Sequence, residues 1–153
     1  MTQRRPRIGG PARSLDLAAT TADSWRLAEH AGQWVLLAFY PRDFGRLCTR
    51  QLTAYASIHD DLAAADAVLA AVSCDDLASH RRFTEEHGFP FPLLADPDGT
   101  AAAAWGVTGP LHTTKRASFV IDRTGVVRDA FVSRTGATWR SPHDLLAVVR
   151  QGS

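Results

Sequence analysis

The sequence predicts an α/β domain whose core is a mixed β-sheet covered by helices on both faces. Three observations carry this prediction. Continuous apolar runs at 34–40 (WVLLAFY) and 68–73 read as strands buried on both faces. Helical patterns alternate with these runs, the signature of parallel strands joined by crossovers. Two further strand patterns, at 117–122 and 126–132, flank Thr124-Gly125 as a hairpin and add antiparallel strands.

The elements follow in order along the chain. Residues 1–13, with Gly9-Gly10-Pro11, read as a flexible tail, and 14–153 as one domain. Residues 14–19 alternate as a short strand, and 24–31 as a helical turn ended by Gly32. Pro41 stops the strand at 34–40, and a loop leads to a helix from about Gly45 to Leu62. On that helix Leu52, Tyr55, His59 and Leu62 share one face. After the strand at 68–73, Asp75 or Asp76 caps a helix that runs to His87 and stops at Gly88. A short strand at 92–95 precedes the turn Asp96-Pro97-Asp98-Gly99, then a short helix ends at Gly106. Ser141-Pro142 opens the last helix, with Ser as N-cap and Pro in the first turn, running to Arg150.

A chain of 153 residues with 45% apolar and 22% charged residues suits one soluble domain that needs no disulfide or metal staple. A net charge of +1 argues against nucleic acid or an anionic membrane as partner, and Arg4, Arg5 and Arg7 form only a short basic run in the tail. No stretch has the apolar length of a membrane span, and no apolar segment follows the N-terminal arginines as in a secretory leader. Two cysteines, Cys48 and Cys74, are too few for a secreted disulfide framework, so a cytoplasmic location is expected. The six histidines show no metal-ligand spacing, and the pair His80/His87 reads as solvated surface. No phosphate-cradling glycine loop is present, so neither cofactor nor metal is expected. Trp25, Trp34, Trp105 and Trp139 read as core or rim aromatics.

The chemistry concentrates in 39–49, FYPRDFGRLCT. A buried strand runs into a loop, and a helix begins just before Cys48. Sites in open α/β sheets form at the carboxyl ends of strands. A thiol in the first helical turn faces unpaired backbone N–H groups and the positive end of the helix dipole, which favour thiolate over thiol. Arg42, Arg46 and Arg50 add positive charge nearby. The competing reading of Cys48 is a small buried apolar residue.

This segment resembles the active-site loop of the peroxiredoxins, Pro-x-x-x-Thr/Ser-x-x-Cys at the end of a buried strand, with Pro41 and Cys48 at the matching positions. Val72-Ser73-Cys74-Asp75, Phe89-Pro90-Phe91-Pro92-Leu93-Leu94-Ala95-Asp96 and Arg116-Ala117-Ser118-Phe119-Val120-Ile121-Asp122 are similar to further segments of that family. The likeness covers roughly 32–150 and is nearest the bacterioferritin-comigratory or one-cysteine bacterial type. It implies a thioredoxin fold and a thiol peroxidase. Cys48 would be the peroxidatic cysteine, passing through a sulfenic acid. Pro41 would shield the thiolate, and Arg116 would hold it ionised and donate to the peroxide. The implied partners are a peroxide and a thioredoxin-like or low-molecular-weight thiol reductant, with the protein a monomer or homodimer.

Three positions depart from the family pattern. Gly45 stands where Thr or Ser is usual, Gln51 where Glu is common, and Ala12-Arg13-Ser14-Leu15 where Ala-Pro-Asp-Phe is expected. Thr49, next to the cysteine, is the candidate to supply the hydroxyl that Gly45 lacks. Thr53 occupies the place of a resolving cysteine found in part of the subgroup, which leaves Cys74 as resolving thiol or as a buried structural one. Gly45 also keeps open two other readings: altered chemistry in a biosynthetic tailoring enzyme, and a non-catalytic thioredoxin-fold binding protein.

Overall fold

The computed structural model describes residues 3–153. Its strands are β1 (Asp16–Ala19), β2 (Trp25–Arg26), β3 (Trp34–Phe39), β4 (Ala67–Ser73), β5 (Leu93–Ala95), β6 (Ala117–Ile121) and β7 (Val127–Val132). Its helices are α1 (Arg46–Ala56), α2 (His59–Ala64), α3 (Leu77–His87), α4 (Thr100–Ala104) and α5 (Pro142–Gly152). The strands form one sheet in the order β2-β1-β5-β4-β3-β6-β7. β3 runs parallel to β4 and β4 to β5, while β1, β2, β6 and β7 join antiparallel. The sheet is therefore mixed, as the sequence pattern requires.

β3 lies inside the sheet, between β4 and β6, and is buried along its whole length. Its alternation divides two cores. Trp34, Leu36, Ala38 and Tyr40 face a layer containing Cys48, Leu52, Tyr55, Phe83 and Leu145. Val35, Leu37 and Phe39 face the other layer, with Trp25, Ala102, Trp105 and Phe119. A strand so placed carries apolar residues on both faces, hence its continuous apolar run.

Two sequence expectations change. The helix expected from Gly45 to Leu62 is broken between α1 and α2. Ser57 Oγ donates to the Ala54 carbonyl at 2.6 Å, and Ile58 adopts φ −105, ψ 12. This turn carries Ile58 into the core (8% exposed) and leaves His59 half-buried. Burying an isoleucine instead of an imidazole explains the break. The turn expected at 24–31 contains β2 followed by one 3₁₀ turn, Leu27–His30.

The expected flexible tail is also corrected, for residues 3–13; residues 1 and 2 of it lie outside the described residues. Backbone N–H groups of Gln3, Gly9 and Ala12 donate to the carbonyls of Ala103, Val127 and Gly125 at 2.8, 2.7 and 3.0 Å. Arg5 Nε donates to the Gly106 carbonyl at 3.0 Å. Gly106 has φ 69, and a Cβ there would lie 2.7 Å from the Arg5 nitrogen, so only glycine lets the segment pass. Ala12-Arg13-Ser14-Leu15 enters β1 with Leu15 buried.

The hairpin β6–β7 turns on Asp122. Its Oδ1 accepts from Thr124 N, Thr124 Oγ1 and Val126 N at 2.9, 2.7 and 3.0 Å, and Oδ2 accepts from Arg128 Nε at 2.6 Å. Burial alone would raise the carboxyl pKa, but the hydrogen bonds from Thr124, Val126 and Arg128 outweigh it and hold the group at about 2. The folded value lies below the unfolded one, so the stabilisation is present above about pH 4 and is lost as pH falls through about 2. Asp122→Ala should cost about 2 kcal/mol at neutral pH, on the order of 5 °C in Tm. Thermal melts across the acid range should show this gap narrowing below about pH 4.

Candidate active site

The site forms where β3 ends. Tyr40 N still donates to the Val72 carbonyl at 3.0 Å, but Pro41 has no N–H and the ladder stops. The chain turns through Phe44 at φ 61, a left-handed conformation that costs a non-glycine residue on the order of 1 kcal/mol. The Phe44 ring packs on Phe83, centroids 4.9 Å apart, which helps offset that cost. Gly45 is then extended (φ −63, ψ 141), and α1 begins at Arg46.

Cys48 is the third residue of α1 and is 2% exposed. Arg116, just before β6 and 3% exposed, donates from Nη1 to Cys48 Sγ at 3.5 Å. The guanidinium is fixed from three sides. Nη1 also donates to Gln51 Oε1 at 2.6 Å, Nε donates to the Gly136 carbonyl at 2.9 Å, and Trp139 stacks 5.8 Å from the carbon of the group. Gln51 is in turn tied to Tyr55, whose hydroxyl donates to the Arg140 carbonyl at 3.0 Å. Burial pushes the Tyr55 phenol up to about 12, so it stays a donor. The amide of Gln51 thus anchors the arginine without charge, and no carboxylate competes with the thiol for the guanidinium.

Gly45 lies beside the sulfur. A Cβ at this position would sit 3.4 Å from Cys48 Sγ and 3.4 Å from the Arg42 carbonyl, ordinary contact distances. The Thr49 hydroxyl donates to the Gly45 carbonyl at 2.8 Å, so its proton is engaged within the helix. Pro41 is half-buried, and with Arg116 it lines a pocket of about 950 Å³.

Below the loop is a buried polar network that sequence reasoning missed. His80, expected at the surface, is 0% exposed. Its Nδ1 lies 2.7 Å from Asp43 Oδ2 and its Nε2 lies 2.9 Å from the Leu94 carbonyl. Each ring nitrogen thus has one polar partner, and the imidazole is held from both ends. Asp43 also accepts from Tyr40 OH at 2.6 Å and Ser79 Oγ at 2.7 Å, and its own N–H donates to Asp75 Oδ2 at 2.8 Å. Burial, and then the Asp43 charge, hold the Tyr40 phenol well above its ordinary value. The available signal was spacing: His80 and Phe83 fall on one face of α3, and Phe83 is apolar. Asp43, Asp75 and His80 have ligand atoms within 4.8 Å of one another. These atoms are taken up by one another and by Tyr40, Ser73 and Ser79, which makes a closed hydrogen-bond network.

Cys74 follows β4 on the other side of the sheet. It borders a hollow with Ala102 and Ala103 of α4, in the layer opposite Cys48. Burial pushes its thiol up to about 11, reinforced by Asp96, Asp75 and Asp98. Cys48 and Cys74 are both unpaired.

A mixed sheet with a buried thiol at the first turn of the helix after the inner strand β3 defines a thioredoxin-fold protein of the thiol-reactive class. The chain belongs to the AhpC/TSA family, whose model matches residues 8–130. It is 32% identical over 125 residues to peroxiredoxin Bcp of Bacillus subtilis, covering 77% of this chain and 80% of that protein. It is also 32% identical over 122 residues to the chloroplastic peroxiredoxin Q of Oryza sativa subsp. japonica, covering 78% of this chain but 56% of that longer one. The structure of peroxidoxin BcpB from Mycobacterium tuberculosis superposes with a TM-score of 0.85 at 28% identity, covering 96% of this chain and 98% of that one. No helix among the described residues is long and apolar enough to cross a membrane.

Removing one partner of the buried Asp43–His80 pair should be costly, since the other is left without compensation. Asp43→Ala should lower stability by about 3–5 kcal/mol. In urea unfolding, Asp43→Ala combined with His80→Ala should cost less than the sum of the two single variants, because the pair is lost only once.

Proposed function

We propose that this chain is a thiol-dependent peroxidase that reduces hydrogen peroxide or organic hydroperoxides through Cys48. The observation that carries the reading is the guanidinium of Arg116 set 3.5 Å from a sulfur in the first turn of α1. Both the helix terminus and the cation favour thiolate, the nucleophilic form. The thiolate attacks the terminal peroxide oxygen and the O–O bond breaks. The leaving alkoxide takes a proton and departs as alcohol or water, and Cys48 becomes a sulfenic acid. Arg116 is placed to donate to the peroxide as negative charge shifts onto the leaving oxygen. Pro41, at the pocket wall, keeps bulk water from the sulfur.

Two thiol equivalents return the sulfenic acid to thiol and release water. The position of Cys74, on the opposite face and among carboxylates, supports an external reductant, a thioredoxin-like protein or a low-molecular-weight thiol. Two unpaired cysteines suit a reducing compartment, and we place the protein in the cytoplasm, as monomer or homodimer.

Gly45 lowers the rate in this reading, because no hydroxyl stands beside the bound peroxide. One such transition-state hydrogen bond is worth about 3 kcal/mol, or roughly a hundredfold. Threonine fits the backbone here, since φ is −63 and the nearest contacts are 3.4 Å. Gly45→Thr should therefore accelerate Cys48 oxidation by up to about a hundredfold. Rapid mixing with peroxide, followed by tryptophan fluorescence, checks this. Cys48→Ser should abolish the signal, and Arg116→Ala should slow it by on the order of a hundredfold. Wild-type protein that consumes no peroxide would overturn the assignment.

A further inference from the structure

We propose that the pocket lined by Arg116, whose guanidinium lies 3.5 Å from the Cys48 sulfur, accepts a small organic anion, so that a substrate of this site carries a carboxylate as well as its reacting group. The proposal rests on the peroxidase reading above and narrows it.

Size is the first argument. The pocket holds about 950 Å³. A molecule the size of water or hydrogen peroxide occupies roughly 30 Å³. The space suits an organic molecule, and part of its wall is apolar, formed by Pro110, Ala130 and Val132.

Charge is the second and decides the class. Arg5, Arg42, Lys115, Arg116 and Arg134 line the pocket, and no Asp or Glu does. The chain has 17 Lys and Arg against 16 Asp and Glu, so this segregation reflects placement and not composition. Among the described residues, Arg5, Arg42, Lys115 and Arg134 make no salt bridge, which is equally true of Arg46, Arg50, Arg81 and Arg82 elsewhere on the surface, so what sets this pocket apart is the absence of a carboxylate from its lining. The other large hollow, about 1070 Å³, carries Asp16, Asp96, Asp98 and Asp122 beside its arginines. Of these two hollows, the one that Arg116 lines has no carboxylate in its wall.

The fold assembles these cations from four separate places. Arg5 is held by the Gly106 carbonyl, Arg42 follows Pro41, Lys115 and Arg116 lead into β6, and Arg134 follows β7. Arg116 faces the sulfur and is buried, whereas the other four are exposed. A ligand can thus direct its reacting end to Arg116 and Cys48 and its carboxylate to the outer cations. Clustered charge of one sign also raises the encounter rate with an oppositely charged ligand.

Two sources share this chemistry. A carboxylate-bearing hydroperoxide would give up its terminal oxygen to Cys48, leaving the hydroxy acid after protonation. A carboxylate-bearing thiol would attack the Cys48 sulfenic acid as thiolate. An S–S bond forms and hydroxide leaves as water; a second such thiol then frees Cys48 and carries away the disulfide.

Two rapid-mixing arms separate them, run at low and high salt. The first compares oxidation of Cys48 by a carboxylate hydroperoxide and by its methyl ester. The second compares reduction of the preformed sulfenic acid by mercaptopropionate and by its methyl ester, at matched thiolate concentration. In at least one arm the anion should react about tenfold faster at low salt, and the preference should collapse at high salt. The arm that shows the preference names the source. Lys115→Glu with Arg134→Glu should reverse the ratio of anion to ester, and Lys115→Gln with Arg134→Gln should give an intermediate ratio. Equal rates for anion and ester in both arms overturn the anion pocket alone. Failure of every peroxide to oxidise Cys48 overturns the peroxidase reading and this inference with it.

Discussion

The buried contact between Asp43 and His80 is the constraint on which the site depends. Asp43 stands in the loop between β3 and α1, and His80 stands in α3, so their 2.7 Å contact ties the loop to the helix packed behind the sheet. Through Tyr40 the same carboxylate is joined to the end of β3, and the backbone N–H of Asp43 donates to the Asp75 carboxylate after β4. Pro41 and Gly45 lie on either side of Asp43, and the direction in which α1 leaves follows from where this residue is pinned. A buried polar pair is weak as a source of stability, because desolvation offsets most of the attraction. Its value here is geometric, since it holds a loop in which Phe44 has positive φ.

The second layer of order concerns Arg116. A guanidinium that is 3% exposed needs hydrogen-bond partners, and Gln51 and the Gly136 carbonyl supply two without adding negative charge. A glutamate at position 51 would have neutralised the cation locally. With glutamine, the field of Arg116 falls on the sulfur and on whatever occupies the adjoining pocket. The substitution that looked like a loss in the sequence leaves the arginine fixed and its charge undivided.

Much of this was legible in the sequence, for physical reasons. The buried runs in β3 and β4, the Gly88 stop, the Ser141-Pro142 start and the Thr124-Gly125 turn are local signals, and all lie where they were expected. Cys48 was legible because a strand, a proline and a helix start surround it. His80 was not, because a histidine reads as polar and its burial depends on Asp43, far away in sequence. The break at Ile58 was missed because the helical pattern continues past it, and only packing decides which of Ile58 and His59 turns inward. The docking of residues 3–13 was missed because nothing local marks a segment most of whose hydrogen bonds join it to distant backbone groups.

The placement of Cys74 has a consequence for the life of the oxidised protein. Its thiol is on the far side of the sheet and is held protonated, so in the proposed reaction the chain has no partner of its own for the oxidised sulfur. Each molecule then waits, loaded with one oxidising equivalent, until a thiol from solution arrives. Turnover in that reaction needs the supply of that thiol as well as peroxide. Where the supply runs out, the protein ceases to be a catalyst and becomes a sponge, absorbing one peroxide per chain and then falling silent.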